Sequence, residues 1–159
     1  MQERVFSALA QPKPFVPLEI QPKRNMKSPY IIEFNKIGAP DLGYITVSEI
    51  EKSIPFNPLR IFWTYETPTD TIRGLHAHYT TEEVLVALRG TITIKIEEYN
   101  GTKTTFVLDT PQKGVYLPAY AWFTIEYSEG AVQLAFASTL YKEADYIRDY
   151  DEFLKVCNR

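Results

Sequence analysis

The residues best suited to chemistry in this sequence are two histidines. His76 and His78 are the only ones among 159 residues, and they sit together in Arg73-Gly74-Leu75-His76-Ala77-His78. Side chains two residues apart on a β-strand leave from the same face, so an extended backbone here makes the imidazoles neighbours. Such a pair has two chemical uses. As neutral rings the histidines ligate a divalent metal, with Glu82 or Glu83 completing a two-histidine, one-carboxylate set. As groups titrating near neutrality they take and return protons, which suits carbon-acid chemistry beside a ketone, with a base near one carbon and an acid near the next. On a solvated outer face the same pair would be plain surface histidines. Which use applies depends on the elements around them.

Those elements read as short strands with turns between them. Tyr30 to Phe34, Gly43 to Val47 and Arg60 to Tyr65 are rich in β-branched and aromatic residues. Thr91 to Glu97 alternates strictly, with isoleucines on one face, and Asn100-Gly101 reads as a hairpin turn into Thr104 to Leu108. Gly114 to Leu117, Phe123 to Tyr127 and Val132 to Ala137 complete the set, and only Ser48 to Ser53 and Glu143 to Val156 look helical. The pattern predicts an all-β fold, an antiparallel β-barrel or jelly roll with a short C-terminal helix. Residues 1–28, broken by Pro12, Pro14, Pro17 and Pro22, read as a proline-rich arm ahead of one domain over 29–159. Small barrels hold ligands at their mouths, so function is expected on inward-pointing side chains.

Composition narrows the partners. Seventeen basic and twenty acidic residues give a net charge of −3, which argues against a nucleic-acid-binding surface. No run approaches the roughly 18 apolar residues of a membrane span, and the N-terminus has no apolar stretch of signal-peptide length. Cys157 is the single cysteine, so no disulfide framework is possible and a reducing, cytoplasmic setting is expected.

His76-x-His78-x4-Glu83-x6-Gly90 resembles the first signature of the cupin barrels, whose second signature supplies a further histidine after a Gly…Pro turn. The turn is present as Gly114-Val115-Tyr116-Leu117-Pro118, but Phe123 stands where that histidine is expected. At most three ligands remain, so proton transfer is the favoured use of the pair.

A narrower resemblance covers residues 30 to 155. The His-Ala-His run, Glu83-Val84-Leu85-Val86-Ala87-Leu88-Arg89-Gly90, and the ending Ala144-Asp145-Tyr146-Ile147-Arg148-Asp149-Tyr150 resemble the dTDP-4-keto-6-deoxyglucose 3,4-ketoisomerases. The resemblance implies a metal-free cupin homodimer that needs no cofactor. It also implies a dTDP-linked keto-deoxysugar whose ketone moves from C4 to C3 through an enediol(ate). His76 and His78 would then share the proton transfers as catalytic residues. Arg60 and Arg73 would bind the diphosphate, since guanidinium forks match phosphate oxygens. Trp63 would stack on the base or sugar, Glu83 would orient an imidazole, and Tyr120 is one of several tyrosines able to supply a hydroxyl. The chain departs from the family pattern at Phe62-Trp63, Tyr79 and Phe123, which removes a phenol and an imidazole from the expected pocket. Two other readings stand beside it: a sibling 3,5-epimerase, through Arg-Gly-Leu-His, and, as a different class, a non-catalytic nucleotide-sugar-binding cupin, through Phe62, Trp63 and Phe123.

Overall fold

The structure is a computed structural model that describes residues 26–159. The arm expected over 1–28 lies outside the described residues, save for 26–28.

Alternating apolar and polar positions assemble two antiparallel five-stranded sheets. In the first, β1 (Tyr30–Glu33), β4 (Arg60–Thr64), β6 (Glu83–Arg89), β9 (Lys113–Leu117) and β11 (Val132–Ala137) lie in the order β1-β9-β6-β11-β4. In the second, β5 (Arg73–His78), β7 (Ile92–Glu97), β8 (Lys103–Leu108), β10 (Trp122–Tyr127) and β12 (Tyr146–Ile147) lie in the order β12-β5-β10-β7-β8. A separate hairpin joins β2 (Asn35–Ala39) to β3 (Gly43–Val47). The Asn100-Gly101 turn forms as expected between β7 and β8, with Gly101 at φ +90°. The fold is the all-β jelly roll that the strand spacing predicts.

Inward-facing side chains of both sheets meet in one core. Leu85, Val115, Leu117 and Ala135 of the first sheet pack against Ile92, Ile94, Ile96, Phe123 and Ile125 of the second. Each buried isoleucine or leucine contributes about 1.5–3 kcal/mol, as an upper bound. The outer face of the first sheet is also apolar. Ile32, Val84, Val86 and Tyr116 lie there against Phe34 and Ile54, with Leu134 and Phe136 packed alongside.

The C-terminal segment differs from the single helix expected over Glu143 to Val156. Glu143–Asp145 is one 3-10 turn, and Tyr146–Ile147 is extended, pairing with His78 and Ala77. Only Tyr150–Val156 is α-helix (α1), started by Asp149, whose side chain accepts the Glu152 N–H. The edge of β5 supplies backbone partners to this stretch, so the extended conformation wins over helix propensity. Phe153 of α1 is fully buried against Ala77 and Ile147. The helix thus backs the strand that carries the histidines. Ser48 to Ser53 is likewise not helical: it is a turn in which Ser53 Oγ accepts the Glu49 N–H.

Candidate active site

The histidine strand is bulged where the site begins. Across β5 and β10, Ile125 faces Arg73, Thr124 faces Gly74 and Phe123 faces His76, so Leu75 has no opposite number. Directly paired residues share a face. Ile125 and Phe123 both point inward, and the bulge therefore turns both Arg73 and His76 toward the interior. Gly74 (φ +80°) permits this geometry, because a Cβ there would lie 2.7 Å from the Phe123 carbonyl oxygen. Leu75 also takes a left-handed φ of +56°, with its side chain in solvent.

His76, Arg73, Glu83, Tyr146, Arg148 and Phe123 are among the residues lining an interior cavity of ≈ 220 Å³ that reaches between the sheets. Phe62, Thr64, Tyr127 and Gln133 also line it. The two histidines are neighbours, with ring centroids 4.9 Å apart and planes nearly perpendicular, but they are not equivalent. His76 lines the cavity; His78 lies one layer deeper, only 3% exposed, with its ring against Tyr146. His76 Nδ1 donates to the Gly74 carbonyl oxygen at 2.9 Å, which leaves the lone pair on Nε2. Burial lowers its pKa below the ordinary histidine value, and the positive Arg148 and Arg60 act in the same direction. The ring is therefore a neutral base at neutral pH.

His78 is pushed down further, to about 4, by burial first and by the neighbouring His76 second. Its Nδ1 lies 3.2 Å from Asp145 Oδ2 and its Nε2 lies 3.7 Å from Glu83 Oε1. Glu83 shifts the other way. Desolvation raises its carboxyl to about 7, against the pull of Arg60. Arg60 Nη2 stands 3.8 Å from Glu83 Oε1, and its guanidinium lies over the rings of Phe62 and Tyr141. Among the described residues, no three histidine, cysteine, aspartate or glutamate side chains converge as a metal-ligand set. Phe123, whose ring packs 4.7 Å from that of His76, occupies the position expected of a further imidazole.

This arrangement can move protons within one small volume. A neutral imidazole and a carboxyl titrating near neutrality line the same cavity, with arginines beside them.

Comparison with known proteins agrees with the geometry. Residues 27–158 match the family model described as "FdtA: WxcM-like, C-terminal". Over 126 residues the chain is 35% identical to a TDP-4-oxo-6-deoxy-alpha-D-glucose-3,4-oxoisomerase of Aneurinibacillus thermoaerophilus, covering 79% of this chain and 89% of that protein. This chain belongs to the 3,4-ketoisomerase family. Among solved structures, a 3,4-ketoisomerase from Helicobacter canadensis is 34% identical with a TM-score of 0.77, covering 82% of this chain and 98% of that one. The ketoisomerase QdtA from Thermoanaerobacterium thermosaccharolyticum, solved with TDP, is 30% identical with a TM-score of 0.77, covering 82% and 94%. A dTDP-4-dehydrorhamnose 3,5-epimerase from Bacillus anthracis is only 14% identical at a TM-score of 0.67, a likeness of fold alone.

As a 3,4-ketoisomerase family member the chain brings together His76, His78, Glu83 and Arg73 of the residues read from sequence, with Arg60 against Glu83. Two expected residues lie elsewhere. Trp63 points out of the barrel and is 63% exposed, because β4 alternates and Phe62 takes the inward position. Tyr120 lies in the turn after β9, where its N–H donates to the His78 carbonyl oxygen and its ring packs edge-on to Tyr79, away from the cavity. Sequence reasoning assigned no role to Tyr146, Arg148, Asp145 or Gln133. The first two carried a signal: two apart in an extended run, they share a face, as the histidines do. Arg148 is held by Glu143 through bonds of 2.7 and 3.1 Å and stacks on Tyr146.

Proposed function

We propose that this chain moves the ketone of a dTDP-4-keto-6-deoxyhexose from C4 to C3, without a metal. The observation that carries the reading is His76, a neutral cavity-lining imidazole whose Nδ1–H is tied to Gly74, with Nε2 free to act as base. His76 takes the proton from C3 and electrons shift toward O4, giving the enediol(ate). Return of a proton to C4, with loss of the O3 proton, leaves the 3-keto sugar. Glu83, titrating near 7, serves the hydroxyl oxygens, and His78 stands behind His76 as its buried neighbour. Arg73 and Arg148 are the cations on the cavity wall for the diphosphate. Support comes from the relatives: a histidine-to-asparagine variant of QdtA was solved with TDP-4-keto-6-deoxyglucose.

Incubation with dTDP-4-keto-6-deoxyglucose in deuterated water tests the reading. The 3-keto product is expected, with deuterium at the carbons that exchange. Exchange at C3 and C5 with no 3-keto sugar would make it an epimerase, and thermal stabilisation by dTDP without turnover would make it a binding protein.

We further propose that the chain works as a cytoplasmic homodimer. Trp63 and Ile61 on edge strand β4 pair with Leu134 and Phe136 on β11, so they extend the apolar outer face of the first sheet into solvent. An exposed apolar face beside an open sheet edge suits a second copy of the same chain.

A further inference from the structure

We infer that Asp145 is a positioning residue, an anion clasped by Thr80 and Thr81 that holds His78 in the tautomer protonated on Nδ1. The inference leans on the ketoisomerase reading only for its effect on turnover; the tautomer is a property of the free protein.

The clasp is made by the loop that follows the histidine strand. Thr80 donates its N–H (2.8 Å) and its hydroxyl (2.6 Å) to Asp145 Oδ1. Thr81 donates its N–H (3.1 Å) and its hydroxyl to Oδ2. Burial works to raise the Asp145 pKa, but these bonds outweigh it and hold the carboxyl below the ordinary aspartate value. Oδ2, already accepting two hydrogen bonds, is the oxygen 3.2 Å from His78 Nδ1. A bare lone pair on Nδ1 would face a fixed negative charge, whereas an N–H there is attracted to it. The proton therefore belongs on Nδ1, and the lone pair on Nε2, toward Glu83.

The surroundings of His78 make this an orienting role. Its own strand presents His76, β6 presents Glu83, β4 presents Arg60, β12 presents Tyr146, and the 3-10 turn presents Asp145. His76 and Arg60 oppose a positive ring and Asp145 favours one, and burial decides for the neutral form. Neither ring nitrogen makes a well-aligned hydrogen bond. The ring is thus held by the direction of the Asp145 field and by the packing of Tyr146 and His76.

With only two histidines in the chain, long-range proton–nitrogen correlation spectra of the imidazoles resolve the question in unliganded wild-type protein at pH 7. His76→Asn assigns the pair by elimination. The expected pattern for His78 is a protonated Nδ1 and an unprotonated Nε2; the reverse pattern, or a doubly protonated ring, overturns the inference. Asp145→Asn removes the negative charge beside Nδ1 and sets an amide N–H against threonine donors in either orientation, so the preference for a proton on Nδ1 is lost and the proton should move toward Nε2. It should also lower kcat by about 100-fold with KM little changed. Thr80→Ala, which removes one hydrogen bond to the carboxylate, is the milder variant and should shift both readouts in the same direction. An unchanged spectrum and kcat in a folded Asp145→Asn protein also overturn the inference. The expected tautomer in a protein with no ketoisomerase turnover would instead sink the functional reading alone.

Discussion

Arg73 and His76 face one cavity although they lie three positions apart, a spacing that puts side chains on opposite faces of a regular strand. The bulge at Leu75 resolves the conflict, and its geometry depends on Gly74. Gly74→Ala is therefore expected to cost about 1–3 kcal/mol, from the left-handed backbone and from contact with the Phe123 carbonyl oxygen. It should also lower kcat/KM, because the proposed base His76 and the proposed phosphate-binding Arg73 lose their common face. Thermal melts and steady-state kinetics on the same preparation check both parts; unchanged turnover would show that the bulge does not position the site.

The two histidines should separate under mutation. His76→Asn removes the cavity-lining base, so exchange at C3 should fall by about 10²–10⁴-fold while dTDP affinity stays within a few-fold of wild type. His78→Asn places an amide deep in the core between Asp145 and Glu83, and should lose stability as well as rate. Isotope exchange followed by mass spectrometry, with titration calorimetry against dTDP, distinguishes them. Equal losses of nucleotide affinity in both variants would contradict the assignment.

The pH dependence has a definite sign. His76 is neutral in the free protein down to below its ordinary value, so kcat/KM should be flat near neutrality on its account and fall only at pH values below the ordinary histidine range, as the ring takes a proton. His78 and Glu83 contribute to stability in opposite directions. His78, with a folded value of about 4, binds fewer protons than the unfolded chain between that pH and about 6.5, so it destabilises the fold as pH falls through this window. Glu83, raised to about 7, binds more protons than the unfolded chain between about 4.5 and 7, so it stabilises the fold as pH falls. The two nearly cancel between pH 4.5 and 6.5. Glu83→Gln removes one of them, and its stability should drop on acidification by up to about 1.4 kcal/mol per pH unit more steeply than wild type. Denaturant titrations at pH 5 and 6.5 check this.

Phe153 is fully buried behind the histidine strand, against Ala77 and Ile147. Phe153→Ala should cost about 3–5 kcal/mol, the usual range for emptying an aromatic site in a core. Chemical unfolding measures the loss. A value under about 1 kcal/mol would mean that α1 is not part of the cooperative fold.

Trp63 tests the dimer. Placing a lysine on the exposed apolar face with Trp63→Lys should leave the fold intact and lower the mass measured by light scattering toward that of one chain. No change in mass would move the interface elsewhere.

Most of the strands, the hairpin at Asn100-Gly101, the all-β class and the shared face of His76 and His78 were legible from residue types and spacing, because period-two alternation is a local property of extended chain; β2, β6 and β12 were not read as strands. Family membership was legible for a related reason, since His-Ala-His and Asp145 to Tyr150 are short, contiguous runs. Other features depended on partners distant in the chain. Trp63 and Phe62 are adjacent, and only the packing of two sheets decides which of them enters the cavity. The first half of the helix expected over Glu143 to Val156 gave way to a 3-10 turn and β12 because the edge of β5 offered it backbone partners, while Tyr150–Val156 is helical as expected. The unequal depth of the two histidines, the raised carboxyl of Glu83 and the approach of Asp145 to His78 all follow from desolvation and charge in three dimensions, where a residue's neighbours are set by the assembled barrel.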